Sequence, residues 1–497
     1  MMTVEPLTHP NRTTASTAGS HAAVAATAFP AATDSALEML RRGGNAVDAA
    51  VAAAWALAVC EPSGSGLGGQ AIALIHLPDG RDLVLDGHSH GPAGLTRKAV
   101  DRSQQRKGYR ACTIPSMPAT LGEAHRRFGR LPLAETLAPA IRLAEEGVAV
   151  SKLLRRHVQW CRQALAASPA AAQVFLPDGK PPRRGSLLRQ PLLANTLRRL
   201  AVSGVDDFYR GALAADIVAD HALQGGLIAA ADLADLALPV ERTVLSIPYR
   251  GYEVVSVPPP GGGLQLLLGL KLAARLGWNE QPNDDARHEM TARIIQALFR
   301  ERVAWPIHPQ RVTPSLIAWL LSDARVSEVA EGLRRGPVAP IRSAEGPGDT
   351  THLCTADSDG MVVSLTQSIQ SLFGAKVMNE RLGFFYNNYL CTCPRYRHPS
   401  RLRRRAMPQS NAAPTLVFEQ AGRARRPVLA LGAAGSRRIT SSILQVLLNV
   451  IERGMPLSKP WMRPGSTRPS PAGPWSRSGS PPRSSRRSFG RASVPCR

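Results

Sequence analysis

The stretch of residues 348–374 constrains the fold of this chain more than any other. Two runs of β-forming residues, 350–356 and 361–369, flank a Ser-Asp-Gly turn. The turn glycine, Gly360, can adopt the positive φ that a tight turn requires. The pattern therefore predicts a β-hairpin, with Thr350 opening its first strand.

The second strand of this hairpin has one polar and one apolar face. Side chains alternate across a strand, so that Val363, Leu365 and Ile369 share one side of the hairpin. The opposite side is polar at each position and carries Ser364, Thr366, Ser368 and Gln370. One face of the hairpin is therefore suited to chemistry.

Thr350 is the candidate nucleophile at the mouth of the hairpin. A threonine hydroxyl is a poor nucleophile until a base takes its proton, and the α-amine of the same residue can be that base once the preceding peptide bond is cut. A second hydroxyl across the hairpin favours attack of Thr350 on its own upstream carbonyl. A Thr-Thr pair at the start of a strand is also ordinary β-structure, so the spacing alone leaves both interpretations open.

The hairpin resembles the signature of the γ-glutamyltranspeptidase family in Thr350-Thr351-His352, Gly360, Val363-Ser364, Thr366, Ser368-Ile369 and Phe373-Gly374. These enzymes are N-terminal-nucleophile hydrolases. The resemblance implies self-cleavage between Asp349 and Thr350, with Thr350 as both nucleophile and amine base and Ser368 hydrogen-bonded to its hydroxyl. It also implies an α+β fold, a four-layer αββα sandwich, that needs neither a cofactor nor a metal.

Several positions depart from the family pattern. Ser368 stands where the family usually has a threonine, and Gln370 where Asn or Glu holds the α-amino group of the substrate. His88 replaces an arginine that grips the α-carboxylate, and histidine cannot make the same two parallel bonds. Tyr389 and Thr392 occupy places where Gln and Asp are usual. The resemblance therefore implies a substrate pocket at His88, Gln370 and Tyr389 that has been altered.

Two later segments complete the site that the resemblance implies. Within residues 408–415, Ser410 keeps the first serine of a Ser-Ser pair of the family and Asn411 replaces the second, and the resemblance implies that both bind substrate. Gly435 and Ser436 match a Gly-Gly loop whose backbone N–H groups stabilise an oxyanion, for which a helix N-terminus is physically suited. The alternative for Ser436 is a plain helix N-cap.

The glycine-rich segment 61–69 contains a G-x-G-x-x-G match at Gly64, Gly66 and Gly69. A dinucleotide-binding fingerprint needs a strand before it and a helix after it, whereas here a predicted helix, 46–59, precedes and a predicted strand, 71–77, follows. The segment resembles a glycine-rich region near the start of the same family. We assign it to the scaffold.

The remaining pattern places helices outside the predicted sheets. Residues 31–41 and 264–276 have helical periodicity, and Asn45 is suited to cap the helix at 46–59. The strands 71–77 and 82–86 form a second hairpin. The proline- and glycine-rich loop at 258–263 is interpreted as a wall of the cleft.

The chain divides into four segments. Residues 1–20 are predicted to be disordered, 21–349 form a large-subunit region, and 350–458 form a small-subunit region that starts at the nucleophile. Residues 459–497 are a basic Pro-, Ser- and Arg-rich tail, predicted to be disordered or the product of a frameshift. The tail supplies nine of the +24 net charges, which weakens a nucleic-acid-binding interpretation of the whole chain.

Composition also bears on location and metal binding. The start of the chain lacks a signal-peptide pattern, and the longest apolar run, 49–59, is too short to span a bilayer, so we expect a cytoplasmic protein. Seven cysteines show no paired zinc spacing and are expected to be reduced. The pair His88-x-His90 has no carboxylate or cysteine partner nearby in sequence, so no metal site is predicted.

Three functions remain compatible with these residues. The first is a self-processing enzyme that transfers or hydrolyses γ-glutamyl, glutathione-type amides through an acyl-Thr350 intermediate. The second is an amidohydrolase of another small amide such as oxamate, whose branch the Gly-Asp-Thr and Gln-Ser-Ile segments also resemble. The third is an inactive pseudo-enzyme or basic binding protein. The expected partners are a small-molecule substrate and the two fragments of the cleaved chain, without specific nucleic acid or membrane.

Overall fold

The computed structural model describes residues 23–236, 239–305, 312–335, 349–396, 398–421 and 424–457. The predicted disordered start, 1–20, and the basic tail, 459–497, lie outside the described residues. The helices are α1 Pro30–Arg41, α2 Ala46–Cys60, α3 Met117–Phe128, α4 Leu133–Glu146, α5 Lys152–Ala166, α6 Pro169–Phe175, α7 Pro191–Ser203, α8 Asp207–Arg210, α9 Ala212–Leu223, α10 Ala230–Ala234, α11 Gly263–Arg275, α12 Asp284–Ala304, α13 Pro314–Leu320, α14 Asp323–Arg335 and α15 Arg438–Leu447. The strands are β1 Val24–Thr27, β2 Gln70–His76, β3 Asp82–Gly87, β4 Val148–Ala149, β5 Leu187–Leu188, β6 Val240–Arg242, β7 Leu245–Tyr249, β8 Tyr252–Ser256, β9 Thr351–Ala356, β10 Val362–Ser368, β11 Thr415–Ala421 and β12 Ala424–Leu431.

Two antiparallel sheets form the centre of the molecule. The first has the strand order β1-β9-β10-β2-β3-β6, and the second has the order β12-β11-β8-β7. The predicted hairpin is the pair β9 and β10, which lies between β1 and β2 in the interior of the first sheet. Both strands of the hairpin therefore have hydrogen-bonded neighbours on each side.

The sheets are stacked face to face between helices. Ile72, Leu74 and Val84 of the first sheet share an apolar cluster with Val255 and Phe418 of the second. The outer face of the first sheet packs on a cluster that includes α1, α2 and α4, and the outer face of the second packs on α11 and α15. The predicted four-layer αββα architecture is therefore confirmed. Its physical cause is the alternation of side chains along the strands, which gives each sheet one face that packs on the other sheet and one face that packs on helices.

Local signals set the boundaries of the first two helices. The Asn45 side chain accepts hydrogen bonds from the backbone N–H groups of Val47 and Asp48, at 2.9 and 3.1 Å, and Asp48 accepts from Asn45 N at 2.9 Å. This reciprocal capping box confirms the predicted start of α2. Within the described residues, no helix combines the length and the apolar character needed to cross a membrane.

Candidate active site

Two hydroxyl groups converge on the carbonyl oxygen of Asp349. Thr350 Oγ1 lies 2.7 Å from this oxygen, and Ser368 Oγ donates to it at 2.8 Å. The two hydroxyls are 3.2 Å apart. Because Thr350 directly precedes β9 and Ser368 ends β10, the hairpin register itself brings the two side chains together.

This arrangement can polarise the bond between Asp349 and Thr350. The single hydroxyl proton of Thr350 can be donated to Ser368 Oγ while Ser368 donates its own proton to the Asp349 carbonyl. The first bond increases the nucleophilicity of Thr350, and the second stabilises negative charge that develops on the carbonyl oxygen. This arrangement is compatible with an acyl shift from nitrogen to oxygen at Thr350.

Gln370 holds the end of β10 in the required shape. Its φ is 82°, a left-handed conformation that non-glycine residues adopt only when the surroundings enforce it. Its N–H donates to Ser368 Oγ at 2.8 Å, and its carbonyl accepts from Asp349 N at 3.0 Å. Gln370 thus orients Ser368 and fixes the backbone on the upstream side of Thr350.

The predicted site residues surround one small cavity of about 20 Å³. Such a volume has room for a single water molecule, so an amide substrate does not fit while Asp349 and Thr350 remain joined. The structure brings together most of the residues predicted for the site, namely Thr350, Ser368, Gln370, Tyr389, Ser410, Asn411 and Ser436. Their individual roles in substrate binding and catalysis stay predictions.

Ser436 lines this cavity, and Gly435 directly precedes it in the loop between β12 and α15. Both residues have positive φ, 105° for Gly435 and 55° for Ser436. The residue in the N-cap position of α15 is Arg437, and it makes no side-chain capping bond. The alternative interpretation of Ser436 as a plain N-cap is therefore wrong, whereas a strained turn facing the cavity is compatible with an oxyanion-binding loop.

Tyr389 lines the same cavity from a buried position. Burial raises the pKa of its hydroxyl above the ordinary range, against the opposing effect of nearby Ser368 and Gln70. The hydroxyl therefore stays protonated at neutral pH and is available as a hydrogen-bond donor beside Ser368.

His88 occupies a different place from the other predicted residues. It is absent from the residues that line the cavity, and its Nδ1 lies 2.5 Å from Asp86 Oδ1. The second carboxylate oxygen of Asp86 accepts from Arg242 Nε at 2.5 Å. Burial raises the pKa of Asp86, but the charges of His88 and Arg242 outweigh this and hold the pKa below its usual range. A substrate-binding role for His88 stays a prediction, and its buried Nε2 has no hydrogen-bond partner among the described residues.

The glycine-rich segment, assigned to the scaffold from sequence, lies directly against the 349–350 bond. Ser63 Oγ is 2.9 Å from His157 Nδ1 and 3.4 Å from Asp349 Oδ2. A Cβ on Gly64 would lie 3.1 Å from Asp349 Cγ, so the absence of a side chain there permits this close approach. The glycine pattern indicated only a scaffold role and did not predict this contact, and His157 carried no signal within the amphipathic pattern of α5.

Burial perturbs the charged groups in this cluster. It raises the pKa of the Asp349 carboxyl, although the neighbouring His157 acts in the opposite direction. Burial lowers the pKa of His157. Burial and the nearby Asp349 charge raise the pKa of Glu61 to about 7. Two carboxyl groups of raised pKa thus lie beside the bond between Asp349 and Thr350.

The pKa of Glu61 leads to a testable pH dependence of stability. A carboxyl whose folded pKa exceeds its unfolded value of about 4.3 destabilises the fold as pH rises between the two values, because the unfolded chain releases its proton first. In a Thr350→Ala background, which is expected to keep the chain whole, we expect Glu61→Gln to raise the free energy of unfolding at pH 8 by about 1–3 kcal/mol and to have little effect near pH 4.5. Urea denaturation at both pH values measures this difference, and equal effects at both would contradict it.

Within the described ranges, no group of three or more His, Cys, Asp or Glu side chains is placed to hold a metal ion.

Sequence comparisons assign the chain to a family. The profile of the gamma-glutamyltranspeptidase family matches residues 32–467. The acylase ACY 1 proenzyme of Pseudomonas sp. (strain SE83) is 34% identical over 460 residues, which cover 87% of this chain and 80% of the relative. The glutathione hydrolase proenzyme of Bacillus subtilis (strain 168) is 30% identical over 469 residues, covering 87% of this chain and 78% of the relative.

Structural comparison gives the same result. The crystal structure of cephalosporin acylase from Bacillus halodurans matches with a TM-score of 0.79 and 29% identity, covering 91% of this chain and 85% of the other. The gamma-glutamyltranspeptidase of Helicobacter pylori matches with a TM-score of 0.59 and 27% identity, covering 63% of this chain and 93% of the other. The fold is that of an N-terminal-nucleophile hydrolase, and the chain belongs to the gamma-glutamyltranspeptidase family.

Proposed function

We propose that this protein is a self-processing amide hydrolase or acyltransferase with Thr350 as its nucleophile. The chain cleaves itself between Asp349 and Thr350 into fragments 1–349 and 350–497. One observation carries the proposal, namely the approach of the Thr350 and Ser368 hydroxyls to the Asp349 carbonyl oxygen within 2.8 Å. The name proenzyme given to two relatives supports processing of this kind.

Cleavage has two chemical consequences in this proposal. Thr350 Oγ1 forms an ester with the Asp349 carbonyl carbon as the C–N bond breaks, and water then hydrolyses the ester. The freed α-amine of Thr350 becomes the base that takes the proton of its own hydroxyl. After cleavage, the new chain end at Asp349 moves away from Thr350 and thereby enlarges a cavity that is too small for substrate in the uncleaved chain.

The mature reaction is acyl transfer in two steps. Thr350 Oγ1 attacks the amide carbonyl of the substrate, and the amine product leaves with a proton. Water or a second amine then takes the acyl group from Thr350. The backbone N–H groups of Gly435 and Ser436 stabilise the oxyanion in both steps. The residues of the chain supply nucleophile, base and oxyanion donors, so this chemistry requires no cofactor.

The acyl group is either γ-glutamyl or that of another small amide. Relatives carry both kinds of name, glutathione hydrolase and acylase. The position of His88 favours the second, because this residue is engaged by Asp86 and does not line the cavity. Tyr389, which replaces a polar residue usual in glutamyl-binding relatives, is also buried against Ser368.

The proposal predicts cleavage and amide turnover in the same preparation. Intact mass of the purified protein is expected to show two fragments divided at Thr350. The cleaved protein is expected to release amine faster from monoamides of short dicarboxylic acids and from oxamate than from a γ-glutamyl anilide, by at least about tenfold. Steady-state rates with the three substrates measure this preference.

The possible outcomes distinguish the candidate functions. Faster release from the γ-glutamyl anilide would favour the glutathione-type activity. A single uncleaved chain that still turns over amides would refute the role of the Thr350 amine as base. An uncleaved and inactive chain would favour a pseudo-enzyme, and salt-sensitive nucleic-acid binding that disappears on removal of 459–497 would favour a basic binding protein.

A further inference from the structure

The side-chain carboxyl group of Asp349 contacts the nitrogen of the bond between Asp349 and Thr350. The backbone N–H of Thr350 donates to Asp349 Oδ1 at 3.0 Å. The hydroxyls of Thr350 and Ser368 lie instead at the Asp349 carbonyl oxygen. The two ends of the scissile bond therefore contact different groups, a pair of hydroxyls at the carbonyl and a carboxyl at the nitrogen.

The nitrogen of Thr350 must gain a proton when this bond breaks. An amide anion is too basic to leave, so an acid placed at the nitrogen accelerates the step. Within the described part of the chain, Asp349 is the titratable side chain that hydrogen-bonds this nitrogen. Its position is therefore that of a general acid for the leaving group.

Ser63 and His157 give the acid form of Asp349 a partner for its proton. Ser63 Oγ lies 3.4 Å from Asp349 Oδ2 and 2.9 Å from His157 Nδ1. When Asp349 is ionised, Ser63 donates to Oδ2. When Oδ2 is protonated, the direction reverses, and Ser63 passes its own proton toward His157 Nδ1. Rotation about the Cβ–Cγ bond of Asp349 exchanges the two oxygens and brings the proton to the nitrogen of Thr350.

Three charged or titratable side chains act on the Asp349 carboxyl from different elements. His157 of α5 and Arg438 of α15 favour the carboxylate form. Glu61, just after α2, is near enough for the charge of Asp349 to raise the pKa of Glu61. The Asp349 side chain is only 18% exposed, and its burial outweighs the two basic groups and raises its pKa. Burial lowers the pKa of His157, so a neutral imidazole can accept the proton of Ser63.

We propose that the Asp349 side chain is the general acid of self-cleavage and that its protonation regulates processing. As Thr350 Oγ1 bonds to the Asp349 carbonyl carbon and the C–N bond breaks, the side-chain carboxyl gives its proton to the nitrogen. The hydroxyl proton of Thr350 is released from the carbonyl oxygen through Ser368 as the C=O bond re-forms, and it then protonates the freed amine. The products are an ester and an ammonium group beside the Asp349 carboxylate. This inference rests on the proposed function, because it concerns the regulation of the cleavage that frees Thr350.

The rate of cleavage should depend on pH with a definite sign. The acid form of Asp349 is present below its raised pKa and is lost as pH rises through that value. The cleavage rate is therefore expected to be constant at low pH and to fall by about tenfold per pH unit above the pKa of Asp349. Whole chains from a short pulse of cell-free synthesis, diluted into buffers from about pH 5 to about pH 9 and followed by intact mass, measure this profile.

Two variants assign the falling limb of the profile to a residue. Asp349→Asn keeps the size of the side chain and an oxygen for the Thr350 N–H, but it has no proton to give at neutral pH. We expect it to cleave about 10²–10³-fold more slowly than the wild type at low pH and to lack the falling limb. Glu61→Gln is the matched control, because it neutralises the other buried carboxyl of this cluster without touching the Thr350 nitrogen. It should retain both the plateau and the falling limb.

Hydroxylamine identifies the step that Asp349→Asn blocks, because it cleaves an ester at Thr350 but not the preceding peptide bond. Asp349→Asn chains that stay whole in hydroxylamine support loss of the acid before the ester forms. Rapid fragmentation in hydroxylamine would place the block in ester hydrolysis and overturn the inference. Thermal unfolding of Asp349→Asn in a Thr350→Ala background checks the fold. If the melting temperature falls sharply, the wild-type and Glu61→Gln profiles decide.

The remaining outcomes separate this inference from the proposed function. A wild-type cleavage rate that does not fall with rising pH overturns the role of Asp349 and leaves attack by Thr350 intact. The same holds for a falling limb that Glu61→Gln removes and Asp349→Asn keeps. A wild-type chain that stays whole at every pH, with or without hydroxylamine, contradicts self-cleavage itself.

Discussion

Replacement of Thr350 by alanine is expected to leave the protein as a single chain of 53.2 kDa with no amide turnover. In the proposed reaction, the hydroxyl that lies 2.7 Å from the Asp349 carbonyl oxygen is the attacking group in self-cleavage, and an alanine side chain has no hydroxyl. The same change removes the nucleophile of the mature reaction, so activity should fall by at least about 10⁴-fold. Intact mass and the rate of anilide hydrolysis measure the two effects.

Thr350→Ser is the matched control for this change. Serine keeps the hydroxyl at the same position in the hairpin and loses only a methyl group, so the chain should still divide at residue 350, more slowly than the wild type. Fragments of the wild-type size from Thr350→Ala would show that another group, or a contaminating protease, cuts the chain. That result would remove the basis for Thr350 as the N-terminal nucleophile.

Much of the fold could be predicted because its signals are local. The alternation of Val363 and Leu365 with Ser364 and Thr366 identifies the two faces of β10, and the cap at Asn45 sets the start of α2. Each feature depends on residues within a few positions of one another. The order of the layers could be predicted only from the family resemblance, because no local pattern indicates which two sheet faces pack together.

The contacts around the cleavage bond were less predictable because they are long-range. Ser63 meets His157 across 94 positions and Asp349 across 286 positions of the chain. Arg302 meets Asn411 across 109 positions. A single sequence contains no signal for such pairs, and His157 lies in a helix whose other residues explain its amphipathic pattern. The resemblance predicted which residues line the cavity at Thr350, but it did not predict that the volume of this cavity is only that of one water molecule.

The family resemblance also implied that position 88 binds a carboxylate of the substrate. In the structure, His88 Nδ1 lies 2.5 Å from Asp86 Oδ1, and His88 is absent from the residues that line the cavity at Thr350.

Ser368→Ala is expected to slow self-cleavage by about 10²–10³-fold. The Ser368 hydroxyl donates to the Asp349 carbonyl oxygen at 2.8 Å, where negative charge develops as Thr350 attacks, and it also lies 3.2 Å from Thr350 Oγ1. Removal of a donor preorganised for an oxyanion has effects of this size in enzymes. The time course of fragment formation during cell-free synthesis of each variant, followed by intact mass, measures the rate.

Two further variants separate this effect from damage to the strand. Ser368→Thr retains the hydroxyl and is expected to cleave within about tenfold of the wild-type rate, since only a methyl group is added. Ser364→Ala removes a hydroxyl from the same face of β10, where it contacts Thr415 N and the Leu431 carbonyl away from Thr350, so it should change stability more than cleavage. Cleavage of Ser368→Ala at the wild-type rate would mean that Thr350 attacks without polarisation of the carbonyl. The proton relay between the two hydroxyls would then have no part in processing.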